Sequence, residues 1–172
     1  MTTQTEPLRI VRVPLEHPDA RQLVEEVQAE YVEIYGSPDE APIDVSEFAE
    51  GAGAFCVGYL DVPGEGQRRP VGTAAWRWVP TPASLGAEEA GRSVEVKRMY
   101  VRRAFRRTGL ARQLLAHVEE DARAAGATFI VLETGPKQAG AVALYRSAGY
   151  APVPDFGHYL HLGAHAFGKR VR

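Results

Sequence analysis

The spacing of hydrophobic residues alternates between a period of two and a period of about 3.6, and this predicts the elements of the first half of the chain. Alternating apolar and basic residues predict a strand at 8–13, and apolar residues at helical spacing follow Asp19, a typical N-cap, as far as Gly36. A short second helix is predicted after Asp44. Three strands complete this half, at 55–59, 71–78 and 95–101, and a turn at 63–66 joins the first two as a hairpin.

The second half of the chain alternates helices with strands. The clearest helix lies at 109–125, where apolar residues recur on one face. A nearly continuous apolar run at 129–133 predicts a buried strand. Another helix is predicted at 139–148, and residues 150–167 are expected to return as one or two strands.

This order of elements predicts one α/β domain. A helix that joins two strands of one sheet makes them parallel. We therefore expect the strands at 95–101 and 129–133 to be adjacent, parallel and splayed apart at their C-terminal ends. The whole is expected to be a mixed central sheet of six or seven strands flanked by about four helices. Residues 1–7 are predicted to be a flexible N-terminus, and residues 8–172 a single domain.

Composition and charge narrow the class of protein. Of the 172 residues, 45% are hydrophobic and 24% are charged, which is globular composition, and the net charge of −2 gives no general attraction to nucleic acid or anionic lipid. No apolar run is long enough to span a membrane, and the first seven residues lack the features of a secretory signal. A cytoplasmic protein without nucleic-acid or membrane partners is expected. The lone cysteine, Cys56, lies in an apolar run and is predicted to be a buried structural thiol.

The basic turn that precedes the helix at 109–125 is the most informative segment. Seven basic residues lie between Lys97 and Arg112, and no carboxylate occurs from 96 to 118. The free N–H groups and the dipole at a helix start attract an anion, and glycine at position 109 lets a phosphate approach the backbone. The Lys-Ser/Thr pair of a nucleotide P-loop and the three glycines of a dinucleotide site are both missing. The segment predicts an anion site, with a solvated basic turn or a nucleic-acid patch as the alternatives.

Two motifs in this half resemble the signatures of the GNAT N-acetyltransferases. The first is Arg106-x-x-Gly109-x-Ala111, preceded by Met99-Tyr100-Val101, and the second is a strand followed by a helix with Ala141-x-x-Leu144-Tyr145-x-x-x-Gly149-Tyr150. The resemblance covers residues 93–151 in sequence and the remainder in element order. It implies a GNAT-like fold and an enzyme that transfers an acetyl group from acetyl-CoA to the primary amine of a small molecule, amino acid or peptide. A catalytically silent acyl-CoA-binding regulatory domain is the alternative.

The resemblance also implies roles for the residues of these motifs. After Arg106, the pyrophosphate would bind the main-chain amides of six residues: Arg107, Thr108, Gly109, Leu110, Ala111 and Arg112. The pantetheine arm would pair with the main chain of Met99, Tyr100 and Val101. The hydroxyl of Tyr145 would reach the thioester sulfur, although an aromatic residue on an amphipathic helix can also simply fill a core. Gln138 occupies a position where many members carry an asparagine that contacts the cofactor arm.

Acetyl transfer to an amine also requires a base, because an alkylamine is almost entirely protonated at neutral pH. A carboxylate can take the proton, directly or through a water. Glu95 is the first candidate, since some family members place a glutamate base there. A surface glutamate at a strand end is the alternative. Glu133, at the end of the facing strand, is the second candidate.

The residues that would bind the acceptor amine are less sharply indicated, and each can instead be a core or surface residue. The candidates are Tyr31, Trp76, Arg77, Glu133, His158 and Tyr159. No metal is expected, because His158, His161 and His165 have no acidic or cysteine ligand at a recognised spacing. The resemblance leaves a homodimer open, since the last strands often pair across subunits in this family.

Overall fold

The computed structural model describes residues 7–41, 43–61, 66–85, 92–159 and 162–171. In chain order the main elements are β1 Arg9–Arg12, α1 Pro18–Tyr35, a 3-10 helix Val45–Phe48, β2 Gly53–Asp61, β3 Arg68–Val79, β4 Ser93–Val101, α2 Leu110–Ala124, β5 Phe129–Thr134, α3 Ala139–Ser147, β6 Ala151–Pro152 and β7 His165–Arg170. The seven strands form one sheet in the order β1-β2-β3-β4-β5-β7-β6. The predicted mixed sheet and element order are confirmed.

Two of the predicted details change in the structure. Within the described residues there are three α-helices, and the short helix after Asp44 is a single 3-10 turn in which the Asp44 carboxylate accepts the Ser46 N–H. The N-cap of α1 is His17 and not Asp19: the ring of His17 accepts the Asp19 N–H at 3.2 Å, and Pro18 fills the first helical position. Proline suits that position because its fixed φ is helical and its missing N–H would have no partner there. The hairpin of β2 and β3 is confirmed, while residues 63–65 of its predicted turn lie outside the described residues.

The sheet separates two layers of helix. On one face, α1 and the 3-10 helix cover a small core that includes Leu23, Phe48 and Phe55. On the other face, α2 and α3 cover a larger core in which Leu114 and Tyr145 belong to one continuous cluster. None of the described helices combines the length and apolar character that crossing a membrane requires.

A gap opens between the two central parallel strands. β4 pairs with β5 over three register positions, Ser93↔Phe129, Val94↔Ile130 and Glu95↔Val131, and then leaves it. Arg98 has a φ of +56°, and the register between β3 and β4 shifts opposite it. The hydroxyl of Thr73 donates to the main-chain oxygen of Arg98 at 2.7 Å and so holds this bulge. Because a bulge bends its strand, β4 turns away from β5, and the predicted splay is confirmed.

Candidate functional site

A cleft of about 320 Å³ lies in the gap between β4 and β5. It is lined from both faces of the sheet, since it reaches Tyr31 of α1 on one side and Tyr145 of α3 on the other. Nine of the residues that the sequence singles out contribute to its wall: Tyr31, Glu95, Met99, Tyr100, Glu133, Gln138, Tyr145, His158 and Tyr159. The cleft is therefore where the predicted catalytic, pantetheine and acceptor residues meet.

Tyr145 is both a core residue and part of the cleft wall. It is 5% exposed, and the centre of its ring lies 5.8 Å from the ring centre of Tyr150 and 6.3 Å from that of Phe167. Burial raises the pKa of the Tyr145 phenol above its usual value of 10, so the hydroxyl keeps its proton across the neutral range. The two readings of this tyrosine are compatible, because its ring packs in the core while the residue lines the cleft.

Glu95 is enclosed by positive charge. Its side chain is 7% exposed, so it is not a surface glutamate at a strand end. Arg77, its neighbour on β3, donates from two nitrogens to Oε2 at 3.0 and 2.8 Å. The ammonium of Lys97 lies 3.5 Å from the other carboxylate oxygen. Both carboxylate oxygens of Glu95 therefore lie against a cationic side chain.

Glu133 lies on the same face, on β5, in less compensated surroundings. Its Oε2 atom is buried and has no hydrogen-bond partner among the described residues. Burial, followed by the charge of Glu95, raises the pKa of Glu133 to about 7. Gly157 lies so close that a Cβ at that position would be 2.8 Å from the Glu133 carboxylate. A buried carboxylate of this kind can hold or release a proton near neutral pH.

Two of the predicted acceptor residues lie away from the cleft wall. Trp76 is 2% exposed on the opposite face of the sheet, where its indole N–H donates to Asp121 of α2 at 2.7 Å. Alternation along β3 decides this, because adjacent residues face opposite sides of a sheet. Arg77 does face the same side as Glu95, but it is held by Glu95 and Glu47 and acts on the carboxylate rather than lining the cleft.

The turn before α2 presents a row of free main-chain donors. Gly109 is the N-cap of α2 with a φ of +86°, and Arg107 has a φ of +63°. Within the described residues, the six consecutive N–H groups from Arg107 to Arg112 have no protein acceptor. A Cβ at Gly109 would have nothing within 4 Å, so the space beside this residue is open. A run of unpaired N–H groups at a helix start, together with the helix dipole, is the kind of arrangement that can hold a diphosphate.

Most of the basic side chains in this turn are already paired. Glu26, Glu30 and Glu33, spaced along one face of α1, bind three arginines: Arg102, Arg103 and Arg106. Arg106 makes two hydrogen bonds of 2.7 and 2.6 Å to Glu30 and also donates to the main-chain oxygen of Val101. The charge asymmetry seen in the sequence is therefore largely neutralised by α1. An anion at this turn would therefore depend mainly on the main-chain amides, with Arg107 and Arg112 nearby in the chain.

Three further residues line the cleft, Tyr35, Asp39 and Arg98, and of these sequence analysis passed over Asp39 and Arg98. Tyr35 accepts a hydrogen bond of 3.4 Å from Gln138, and a Cβ at Gly135 would collide with its hydroxyl. Asp39 accepts a hydrogen bond of 2.6 Å from Tyr159. Arg98 could have been noticed as a lone arginine within a strand, but its direction depends on the bulge, which the sequence does not reveal.

The remaining polar groups add no metal centre to the described part of the chain. There, no three His, Cys, Asp or Glu side chains are grouped as metal ligands, and His161 of the predicted histidine trio lies outside the described residues. Cys56 is 1% exposed on β2, and burial raises the pKa of its thiol to about 12. Cys56 is thus a buried structural thiol, as predicted.

Comparison with known proteins gives consistent results. The sequence model of the acetyltransferase (GNAT) family matches residues 20–150. An IAA acetyltransferase from Azospirillum brasilense is 42% identical over 76 residues, a match that covers 44% of this chain and 50% of that protein. The match thus spans about half the length of this curated relative.

Solved structures share the fold over nearly the whole chain. A GNAT-family acetyltransferase from Staphylococcus aureus aligns with a TM-score of 0.68 at 14% identity, covering 96% of this chain and 100% of that one. Arabidopsis thaliana NAA60, in complex with a bisubstrate analogue, aligns with a TM-score of 0.66 at 16% identity, covering 95% and 100%. At these identities the likeness concerns the fold alone.

Proposed function

Because the chain belongs to the acetyltransferase (GNAT) family and is an acyltransferase enzyme, we propose that it transfers an acetyl group from acetyl-CoA to the amine of a small molecule. One observation carries this proposal: a single cleft through the sheet has a tyrosine on the α3 side and two carboxylates on the α1 side. An amine approaching from the α1 side would meet a base, and a thioester entering from the other side would meet a proton donor.

The binding of acetyl-CoA is supported at two places. The six free N–H groups from Arg107 to Arg112 suit the pyrophosphate. Beyond Glu95, the edge of β4 that faces the gap has no strand partner in the described structure, so the main chain of Met99–Val101 can pair with the amide groups of the pantetheine arm. Met99, Tyr100 and Gln138 all line the cleft into which that arm would lead.

The proton of the attacking amine is assigned to Glu133. The sequence ranks Glu95 first, but the contacts favour the reverse order, because Arg77 and Lys97 already bind the Glu95 carboxylate. Glu133 has a pKa near 7 and a buried oxygen without a hydrogen-bond partner in the described structure, which suits a group that takes up a proton near neutral pH. In this scheme Glu95 is a positioning residue, whose charge raises the pKa of Glu133.

Tyr145 is proposed to assist the departing thiolate. As the amine nitrogen bonds to the carbonyl carbon, the carbon–sulfur bond breaks and negative charge develops on sulfur. A buried phenol that stays protonated can donate a hydrogen bond or a proton to that atom. Arg77 and Lys97 do not serve this purpose, since both are engaged with Glu95.

A small acceptor is favoured by the size of the cleft. Its volume of about 320 Å³ is near the lower end of ligand pockets and must hold both the acetylated end of the pantetheine arm and the acceptor. A peptide could place only one residue or its terminus inside. A cytoplasmic location and a homodimer remain predictions.

A screen of amines with acetyl-CoA tests this function. Purified protein is incubated with small amines, amino acids and short peptides, and released thiol is measured together with the mass of the acetylated product. Turnover of at least one small amine is expected. Thiol release without an acetylated amine would contradict amine acetylation, and efficient turnover of peptides alone would replace the small acceptor by a peptide.

A further inference from the structure

The guanidinium of Arg98 is buried in the cleft with hydrogen-bonding capacity that the protein does not use. Its side chain is 6% exposed, and its Nε atom has no hydrogen-bond partner among the described residues. The Nη1 atom lies 3.6 Å from the nearer oxygen of Asp39, which is an ion-pair distance and longer than a hydrogen bond. A guanidinium has five N–H donors, and leaving buried donors unpaired is costly.

Asp39 balances the charge of Arg98 but does not occupy its donors. The carboxylate of Asp39 is committed elsewhere: it accepts the Tyr159 hydroxyl at 2.6 Å and the main-chain N–H of Ala41 at 3.0 Å. These contacts hold the loop after α1 in place and keep Asp39 beyond hydrogen-bond reach of Arg98. Arg98 is also one of the residues that line the cleft, and in the described structure Asp39 makes no hydrogen bond to its guanidinium.

The position of Arg98 is unusual for a strand residue. It occupies the β4 bulge with a φ of +56°, a conformation that residues other than glycine adopt at a cost, and the bulge contributes Arg98 to the wall shared by Tyr31 and Tyr159. Burial raises the pKa of both tyrosine hydroxyls, the charge of Asp39 raises it further, and the charge of Arg98 lowers it. The cleft thus contains a buried guanidinium, paired in charge with Asp39, on the side of α1 where the acceptor would enter.

We propose that the acceptor is an amino acid or a related amino carboxylic acid, whose carboxylate binds Arg98 while its amine faces Glu133. This inference rests on the proposed acetyltransferase function and specifies its substrate class. The planar fork of an arginine binds a carboxylate through two parallel hydrogen bonds. A single negative charge also suits a guanidinium that has Asp39 beside it, since a more highly charged anion would be repelled more strongly by that carboxylate.

Matched acceptor pairs test this inference. Each amino acid is compared with the amine formed by its decarboxylation, which keeps the nucleophile and removes the carboxylate. The measured quantity is the ratio of kcat/KM for the acid to kcat/KM for the amine. A ratio of roughly 10 to 10² is expected, the size of a hydrogen-bonded charge pair.

Three substitutions then locate the source of the preference. Arg98→Gln should bring the ratio close to one, and Arg98→Lys, which keeps the charge without the fork, should give an intermediate value. Asp39→Asn should raise the ratio, because it removes a competing negative charge, whereas a merely structural role of Arg98 predicts no increase. Arg21 is an exposed arginine of α1 that does not line the cleft, so Arg21→Gln is the control and should leave the ratio unchanged. Thermal unfolding of each variant identifies any that fail to fold.

The outcomes separate this inference from the function on which it rests. If decarboxylated amines are acetylated as well as the acids, or better, the enzyme is an amine acetyltransferase but Arg98 is not a carboxylate site. If no amine of any kind is acetylated, the proposed function fails. In that case calorimetric titration of the protein with amino acids, in the presence of coenzyme A, still tests Arg98. Binding that is lost in Arg98→Gln would support the site, and absence of binding to the unmodified protein would overturn it.

Discussion

At the scale of single residues, two glutamates on neighbouring strands differ because of what surrounds them. Glu95 is bound by Arg77 and Lys97, whereas an oxygen of Glu133 is buried with no hydrogen-bond partner in the described structure. Both face the same side of the same cleft. The roles proposed for the two glutamates therefore differ because different groups contact each carboxylate, and not because of their positions on the sheet.

This difference predicts distinct pH profiles. Because the pKa of Glu133 is about 7, kcat/KM should rise with pH through an inflection near that value as the base becomes ionised. Glu133→Gln should remove this inflection and lower kcat/KM by roughly 10² to 10⁴. Glu95→Gln should keep the inflection but move it to lower pH, because the charge of Glu95 is one cause of the raised pKa. The profiles are measured with a saturating thioester.

The opposite result would restore Glu95 to the first rank. If Glu133→Gln retains the inflection and Glu95→Gln loses it, the base is Glu95, and its ion pair with Arg77 must open when substrate binds.

Tyr145 can be tested by removing one oxygen atom. Tyr145→Phe keeps the ring contacts with Tyr150 and Phe167, so the melting temperature should be preserved. We expect kcat to fall by up to roughly 10² to 10⁴ with little change in the KM for acetyl-CoA. We expect a loss at the low end of this range, since a thiolate, whose conjugate thiol has a pKa of about 8.5, leaves more readily than an alkoxide.

Tyr150→Phe is the matched control for this substitution. Tyr150 is equally buried on the neighbouring turn, but its hydroxyl is affected by Glu119, its ring centre lies 5.4 Å from the Lys169 ammonium, and it does not line the cleft. It should retain normal kcat. Equal activity of both variants and the unmodified enzyme would assign Tyr145 to packing alone.

At the scale of elements, the bulge in β4 and the start of α2 make different contributions to the candidate site. The bulge opens the gap from β5, and the helix start supplies N–H groups that no protein acceptor in the described structure occupies. The ion pairs from Glu26 and Glu30 to Arg102 and Arg106 hold the turn between these elements against α1. These contacts come from the protein's own side chains.

The helix start is tested by a pair of substitutions at Gly109. Gly109→Asp and Gly109→Asn share the same shape and the same strain at a φ of +86°, which costs each roughly 1–2 kcal/mol of stability. Only the aspartate adds a negative charge where a diphosphate would lie. Calorimetric titration with coenzyme A should show at least a tenfold larger loss of affinity for Gly109→Asp than for Gly109→Asn. Similar affinities for the two variants would place the phosphates elsewhere.

At the scale of the whole molecule, the proposed ligand would contact three elements at once, α2, β4 and α3. A ligand held by α2, β4 and α3 together binds the folded chain and not the unfolded one. At a hundredfold excess over its Kd this stabilises the fold by roughly 2.7 kcal/mol, or roughly 5–10 °C in Tm for a chain of this size. Acetyl-CoA should produce this shift in calorimetry, and adenosine, which lacks the diphosphate and the arm, should not. An equal shift with adenosine would contradict a site built on Gly109 and β4.

Local patterns in the sequence were sufficient for the element order, the parallel pair, its splay and the glycine at the start of α2. These features depend on periodicity and on motifs whose residues are neighbours along the chain, so the residues that determine them are close together in the sequence. The tertiary structure alone decided which face each residue of β3 presents, and it placed Trp76 in the core. It also neutralised three arginines with glutamates from α1, gave two similar glutamates different partners, and aimed Arg98 into the cleft. Pairing, burial and pKa depend on groups that are distant in the chain and meet only when the sheet is assembled.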